Sequence, residues 1–388
     1  MVNDFDLIII GAGPAGLATA LGAKRNGLEK VLIVEQQSTL GNQLKGQSIH
    51  YRPEILSKIF PKDQAKKAFV TEIKPFGRNY YSPSGNKSFH LEDDINRVWI
   101  DFRLFLNELA KQVVLNNVFL RVNSKVINLE PLPNGRIQLV INDLLKNKSI
   151  TLTSRVIVGA EGAKSITAQL LHLPQPTPLC PIIRGHFFGE YDENDMEFLF
   201  FSDNNLDVAG TSFIFPHGQQ NAEFGFIIFP EVSIDPLPNY WEVWNVVLKS
   251  PIIKKKIHIW RFYDIIQTTI PMGGPVSKIY SEYCFIIGEA AGQVNPSGGS
   301  GILTGLELGL FLGEQLGKLY PDWDEKSLQN IEREILAHPT HEKLSLMSQM
   351  ILPFRKRLFR EFRTWEKIDE EWENITEILS LAFGSKNE

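Results

Sequence analysis

Only two cysteines, Cys180 and Cys284, occur among 388 residues, far apart and without metal-ligand or redox spacing. That argues against a disulfide scaffold and points to reduced thiols in a reducing, cytoplasmic compartment. Charge of one sign is scarce as well: the net charge is only −5, so no global field recommends nucleic acid as a partner. Long apolar runs are missing. The uncharged stretch 7–23 is too short to span a bilayer, lacks a basic leader and is broken by glycines. There are no repeats and no low-complexity segments. What is present is an ordinary globular composition, 43% hydrophobic, in a chain long enough for roughly two or three domains.

The most informative stretch is the opening FDLIIIGAGPAGLATALGA, which breaks at Gly11-Ala12-Gly13-Pro14-Ala15-Gly16. It reads as a buried strand, a tight turn and the start of a helix. Gly11 makes the turn, Gly13 lets backbone approach a pyrophosphate, and Gly16 lets helix pack on strand. The helix start around Pro14 and Ala15 offers N–H groups and the positive end of a dipole to phosphates. Such a turn also arises by chance. Here, however, VLIVE follows as a second strand and ends at Glu35, nineteen residues after Gly16. A carboxylate there accepts hydrogen bonds from an adenosine ribose, so the unit reads as dinucleotide-binding.

Residues 36–48 form a polar loop, 53–60 a short helix, and 61–92 a turn-rich segment that crosses to an outlying sheet. Arg97 precedes a helix at 102–112 with its apolar residues on one face. Strand-like runs at 118–122, 125–130 and 136–142 follow, the last two joined by an Asn134-Gly135 hairpin turn. The apolar run 156–160 returns to the nucleotide sheet and leads into GAEGAKS. Glu161 and Gly162, at a strand end, place backbone near a ligand and a carboxylate near a hydroxyl; an ordinary strand-to-helix turn explains them equally well. A further apolar strand at 283–287 ends in Gly288-Glu289-Ala290-Ala291-Gly292. Then come Asn295-Pro296 and Ser297-Gly298-Gly299-Ser300-Gly301, opening an apolar helix at 302–316. Glycine-rich backbone opening a helix makes a second anion or oxyanion site. A close helix–strand crossing accounts for one glycine but hardly for three.

Residues 178–269 carry strand-like runs with hairpin-like spacing, an antiparallel sheet suited to roof an apolar cavity. Sheet core explains any single phenylalanine there. Alternate members of the dense set, Phe198, Phe200, Phe213, Phe215 and Phe224, are the candidates to line a pocket for an apolar substrate. His186, His217 and Tyr263 are available proton donors, but such residues are more often structural; no catalytic residue and no metal ligand is assigned. From Pro353, Phe354, Leu358, Phe362, Trp365, Ile368, Trp372, Ile375 and Leu379 recur every three or four residues as an amphipathic face. Arg355, Lys356, Arg357, Arg360 and Arg363 crowd its first half. Docking on the protein body, with the basic side chains in water, is the favoured reading; attachment to an anionic membrane surface is the rival.

GAGPAG with Glu35, GAEGAKS and IIGEAAGQVNPSGGSGI, in this order and at these intervals, resemble the FAD-dependent oxidoreductases related to para-hydroxybenzoate hydroxylase. In that superfamily the later motifs usually read GADG and GDAAG, so glutamate replaces aspartate at 161 and 289. Within it, Gly292 with residues 295–301, IPMGGP at 270–275, and FIFP at 213–216 followed by EFGF at 223–226 are similar to the geranylgeranyl reductase group. Phe213 stands for that group's tryptophan, and Leu44-Lys45-Gly46-Gln47 for its Cys-Gly-Gly loop. The paired-tryptophan motif of flavin-dependent halogenases has no counterpart.

The resemblance implies an α/β fold: a Rossmann-like FAD-binding domain split into 1–177 and 270–322, an antiparallel substrate domain at 178–269, and a helical C-terminal region at 323–388. It implies that Gly11, Gly13 and Gly16 hold the FAD pyrophosphate, that Glu35 takes the ribose, and that Val126 lies by the adenine. Arg97 would reach the flavin or its phosphates, with a surface salt bridge as a nearly equal alternative. Glu289 would bind ribitol or phosphate-side hydroxyls, and Pro296, Gly298, Gly299, Ser300 and Gly301 would face the pyrimidine side of the flavin ring. The implied chemistry is hydride transfer from reduced flavin to a double bond of an apolar substrate, with NAD(P)H as electron donor. The alternatives are hydroxylation through a C4a-peroxyflavin and a non-catalytic flavin-binding interaction protein. The oligomeric state is left open.

Overall fold

The structure, a computed structural model, describes residues 4–42, 48–92, 94–203, 206, 208–218, 220–233, 235–361 and 365–383. The opening strand Asp4–Ile10 lies parallel to Val31–Val34 on one side and Lys148–Gly159 on the other, inside an eight-stranded sheet. Unalternating β-branched runs suit a parallel strand covered on both faces. Cys284–Ile286 extends the sheet beside Lys148–Gly159, also in parallel. Ser124–Pro131 and Ile137–Asp143 form the expected hairpin, turning at Gly135 with φ +74°.

Two helices distant in sequence cover this sheet, and glycine decides how closely. Pro14–Arg25 and Ile302–Leu319 cross backbone to backbone. A Cβ on Gly309 would come 2.4 Å from the Ala15 carbonyl oxygen, and one on Gly313 2.1 Å from that of Thr19. This crossing brings the late glycine loop beside the first one, so the nucleotide domain is split in sequence and continuous in space.

The second sheet has seven strands in the order His258–Pro271, Leu179–Glu190, Asn221–Ile228, Val208–Pro216, Asp195–Asp203, Gly77–Tyr81, Ser88–Leu91. The last two correct the domain boundary drawn from the sequence. Residues 77–91 fall within the segment assigned to the nucleotide domain, yet Gly77–Tyr81 pairs in parallel with Asp195–Asp203 and completes the substrate sheet. That 61–92 crosses to another sheet was read from its turns; which sheet it joins depends on a partner strand more than a hundred residues away, which leaves no local signal. One face of this sheet packs on the helix Tyr240–Lys249, where Trp244 meets Phe224 and Phe226. The other face looks into the molecule.

The C-terminal region is a series of short helices: Glu325–Leu336, Pro339–Lys356, a π-turn at Arg357–Glu361, Trp365–Glu370 and Trp372–Phe383. Leu358, Ile368, Trp372, Ile375 and Leu379 are buried against the substrate sheet with Phe200 and Phe213. Phe362 and Arg363 lie outside the described residues. Docking on the body is what these residues do, with one correction: Arg355 is not in water. It is buried, paired with Glu231 at 2.8 Å, and donates to the Met272 carbonyl at 3.1 Å. Both cysteines are free and buried, and no helix among the described residues is long and apolar enough to cross a membrane.

Candidate active site

The first glycine turn is shaped by its own contacts. Gly11 has φ +103°, and a Cβ there would sit 2.4 Å from the Ala160 carbonyl oxygen. A Cβ on Gly16 would strike the Gly11 carbonyl oxygen at 2.1 Å, so these two glycines serve packing. Gly13 differs: a Cβ there meets nothing within 4 Å. No neighbour within the protein demands a glycine at 13, and the space beside it is the end of a cavity. At the strand end, Glu35 accepts from the Ala12 N–H and the Gln37 N–H, each at 2.8 Å. Its carboxylate is thereby fixed at the cavity edge with further lone-pair capacity on both oxygens.

The cavity measures about 690 Å3 and runs from Gly11, Gly13, Pro14, Ala15 and Glu35 past Arg97, Val126, Glu161, Gly162 and Glu289 to Gly298, Gly299, Ser300 and Gly301. Segments nearly three hundred residues apart therefore share one cleft. Two helices open onto it, Pro14–Arg25 from Gly13 and Ile302–Leu319 from Gly301. Neither has a side-chain cap or an acidic residue in its first turn. Unanswered N–H groups and two positive dipole ends aimed into one cavity suit an elongated ligand that is anionic at two places. The cradle fits FAD: a diphosphate at the first end, a reduced isoalloxazine ring at the second.

Not every residue expected here does what the sequence suggested. Glu161 reaches the wall, but its carboxylate turns back on the helix Ile166–Leu170. It accepts from the Thr167 N–H at 3.0 Å, the Ser165 hydroxyl at 3.0 Å and the Thr167 hydroxyl. Burial pushes its pKa up against the opposing pull of those hydrogen bonds. Gly292 and Pro296 do not line the cavity; a Cβ on Gly292 would come 2.4 Å from the Gly274 carbonyl oxygen, so a close backbone crossing explains it. The Gly299 N–H is engaged by the Asn295 carbonyl at 2.9 Å, which braces the late loop. Residues 44–47 lie outside the described residues.

The substrate sheet supplies the floor, and its register decides which phenylalanines take part. Cross-strand partners form rows on the inner face. Phe200, Thr211, Ile227 and Ile182 make one row; Phe198, Phe213, Gly225 and Arg184 the next; Phe215, Glu223 and His186 the third, with Met196 in the same cluster as Phe215. Phe198, Phe200, Phe213 and Phe215 line the cavity as expected. Phe224 is a correction. It points to the opposite face and is buried against Trp244 and Phe262, because neighbouring residues of a strand face opposite ways. Ile351, Phe354, Leu358, Phe359 and Leu379 close the cavity from the C-terminal helices, a contribution that helical periodicity gave no means of placing.

The second and third rows bring polar groups together, of which the sequence had singled out the histidines but not Arg184 or Glu223. Arg184 and Glu223 form an ion pair at 3.0 Å with side chains 5% and 1% exposed, and both line the cavity. Behind them His217 Nε2 stands 4.0 Å from Glu223 Oε2, and His186 packs against His217 and Tyr263. Burial lowers the pKa of both histidines, that of His217 well below the ordinary value, so both are neutral. Ligand atoms of His186, His217 and Glu223 all lie within 4.8 Å of one another, but the Arg184 guanidinium already balances the Glu223 charge. Tyr263 donates to Asn221 Oδ1 at 2.7 Å.

Residues 8–79 match the family model of pyridine nucleotide-disulphide oxidoreductases. The chain is 26% identical over 342 residues to a digeranylgeranylglycerophospholipid reductase of Methanocaldococcus jannaschii, covering 86% of this chain and 82% of the relative. It is 25% identical over 351 residues to digeranylgeranylglycerophospholipid reductase 1 of Methanosphaera stadtmanae, covering 88% and 81%. Among solved structures, a geranylgeranyl bacteriochlorophyll reductase-like protein from Thermoplasma acidophilum superposes with TM-score 0.74 at 18% identity, covering 90% of this chain and 86% of that one. A point mutant of the halogenase PltM in complex with FAD superposes with TM-score 0.67 at 16% identity, covering 89% of this chain and 75% of that one.

Proposed function

We propose that this chain, an FAD-dependent oxidoreductase most like the geranylgeranyl reductase group, reduces a carbon–carbon double bond in an apolar, isoprenoid-like substrate. One observation carries the reading: a single cavity joins two uncapped helix N-termini to an aromatic floor and an apolar helical roof. Gly11 to Ala15 hold the diphosphate, and Glu35 takes the ribose. The Ser297–Gly301 loop, braced by Asn295, presents backbone to the ring. When bound and reduced, FAD would supply a hydride to one alkene carbon while a proton goes to the other, and NAD(P)H would restore the flavin's two electrons.

The chain's own part is orientation and exclusion of water. Phe198, Phe200 and Phe213 form a flat apolar surface under the substrate chain, and Leu358 and Leu379 cover it. In such a dry site, backbone dipoles act on developing charge more strongly than they do in water. The reductases named above act, by their names, on lipids bearing geranylgeranyl chains, which is the chemistry an aromatic and aliphatic cavity accommodates.

The test is to reduce the FAD-loaded protein without oxygen and then offer a polyprenyl alkene. Oxygen-independent reoxidation with loss of the alkene is expected. A hydroxylated product formed only with oxygen would overturn the reductase reading in favour of a monooxygenase.

A further inference from the structure

A second buried ion pair stands where the roof meets the late glycine loop. Arg355, from the helix Pro339–Lys356, lines the cavity; Glu231, just past the strand Asn221–Ile228, does not. Their side chains are 5% and 11% exposed and meet at 2.8 Å. The guanidinium also donates to the Met272 carbonyl at 3.1 Å and the Pro296 carbonyl at 3.4 Å, and lies 4.7 Å from the centre of the Phe229 ring. Pro296 directly precedes Ser297–Gly301. The pair is therefore oriented, its cation on the wall beside the late loop and its anion behind. Holding the roof in place does not call for such a pair. Apolar side chains of similar size serve a buried position as well, and Leu358, Ile368, Trp372, Ile375 and Leu379 already seat these helices. We propose that the Arg355–Glu231 pair tunes the bound flavin, its positive end favouring the reduced, anionic ring over the oxidised, neutral one. This rests on FAD occupying the cavity with its ring beside residues 297–301, and not on which substrate the reduced flavin serves.

The placement of the charges sets the direction of the effect. Reduction adds negative charge on the pyrimidine side of the ring, the side assigned to the late loop. In a site that excludes water, a cation on the wall acts on that charge through space, without contact. Glu231 opposes Arg355 but from farther away, so a net positive field is left at the ring. It adds to the positive end of the helix Ile302–Leu319, which opens onto the same place. Glu231 acts only through Arg355: it fixes where the guanidinium sits and how much of its charge the ring feels. It is a positioning residue, and Arg355 is the group that faces the cofactor.

The experiment measures the two-electron reduction potential of FAD-loaded wild type, Glu231→Gln, Arg355→Met and the double variant, titrated without oxygen against a reference dye. The expected order, from highest to lowest, is Glu231→Gln, wild type, the double variant, Arg355→Met. The two single changes should shift the potential in opposite directions, each by about 30 mV, a tenfold change in the preference for reduced over oxidised FAD. A pair that merely braces the roof would move neither potential, or both the same way, and either result overturns the proposal. A polyprenyl alkene serves as the probe of the roof, its binding read from the perturbed flavin absorption spectrum. Its affinity for Glu231→Gln should stay within about twofold of wild type. A Glu231→Gln protein that binds the probe poorly and keeps the wild-type potential has lost a strut, and the tuning role falls with it. Should Arg355→Met not fold, the double variant, which strands no buried charge, and Glu231→Gln still bracket the wild type. Wild-type protein that retains no FAD overturns the cradle as well. The expected order in a protein that reduces no alkene leaves the tuning standing and removes the reductase reading.

Discussion

Gly13→Val separates a glycine kept for a ligand from glycines kept for the fold. Gly13 is extended, with φ −77° and ψ 180°, a conformation any residue adopts, and a Cβ there touches nothing within 4 Å. The apoprotein should therefore keep its stability to within about 1 kcal/mol. The added methyl groups stand where the diphosphate approaches backbone N–H groups. Losing two charge-assisted hydrogen bonds at about 1.5–3 kcal/mol each weakens FAD binding by roughly two to four powers of ten. The assay pairs flavin absorbance per protein, and fluorescence titration of apoprotein with FAD, with a melting curve of the apo form. Gly11→Val is the control, because φ +103° and an oxygen at 2.4 Å make it destabilising with or without flavin. Wild-type affinity for FAD in Gly13→Val would refute the cradle, and a large loss of apoprotein stability would refute the open space beside Gly13.

Phe224→Ala should cost about 3–5 kcal/mol of stability in urea unfolding while leaving probe affinity unchanged, since Phe224 packs away from the cavity; Phe213→Ala should weaken probe binding, and equal effects of the two on affinity would contradict the register. His186 and His217 are held neutral in the fold, chiefly by burial, but titrate near the ordinary 6.5 when unfolded. The unfolded chain thus binds more protons below that pH, and stability should fall as pH drops from 7 to 5, by up to about 1.4 kcal/mol per unit per histidine. His217→Gln should flatten that slope; an unchanged slope would show that His217 is not held neutral. Arg355→Met, which strands Glu231 beneath the C-terminal helices, should destabilise by about 3 kcal/mol, and a neutral outcome in thermal melts would mean the pair does not anchor them.

The nucleotide end was legible because its constraints are local. Gly11, Gly16 and Glu35 lie within a single strand–turn–helix–strand unit, where backbone geometry and residue type answer to each other over a few positions. The late loop at 295–301 was legible for the same reason, as glycines opening a helix. Phe224 shows where legibility stops. Alternation marks two faces of a strand but not which of them meets the cavity, and that depends on pairing with strands far along the chain. Residues 77–91 show the same limit in part: their turns marked a crossing to another sheet, but not which one, since their partner strand begins at Asp195.

The sequence by itself determined the cofactor-binding unit, the order of the flavin motifs and the apolar character of the substrate region, because each is written in neighbouring residues. Only the tertiary structure decided that the two glycine loops share one cavity, that Arg184 and Glu223 meet on its wall, and that the C-terminal helices roof it. The reason is physical. Those features depend on a glycine-lined helix crossing, on cross-strand register and on packing across the cleft, all of which arise between segments that know nothing of one another until the chain is folded.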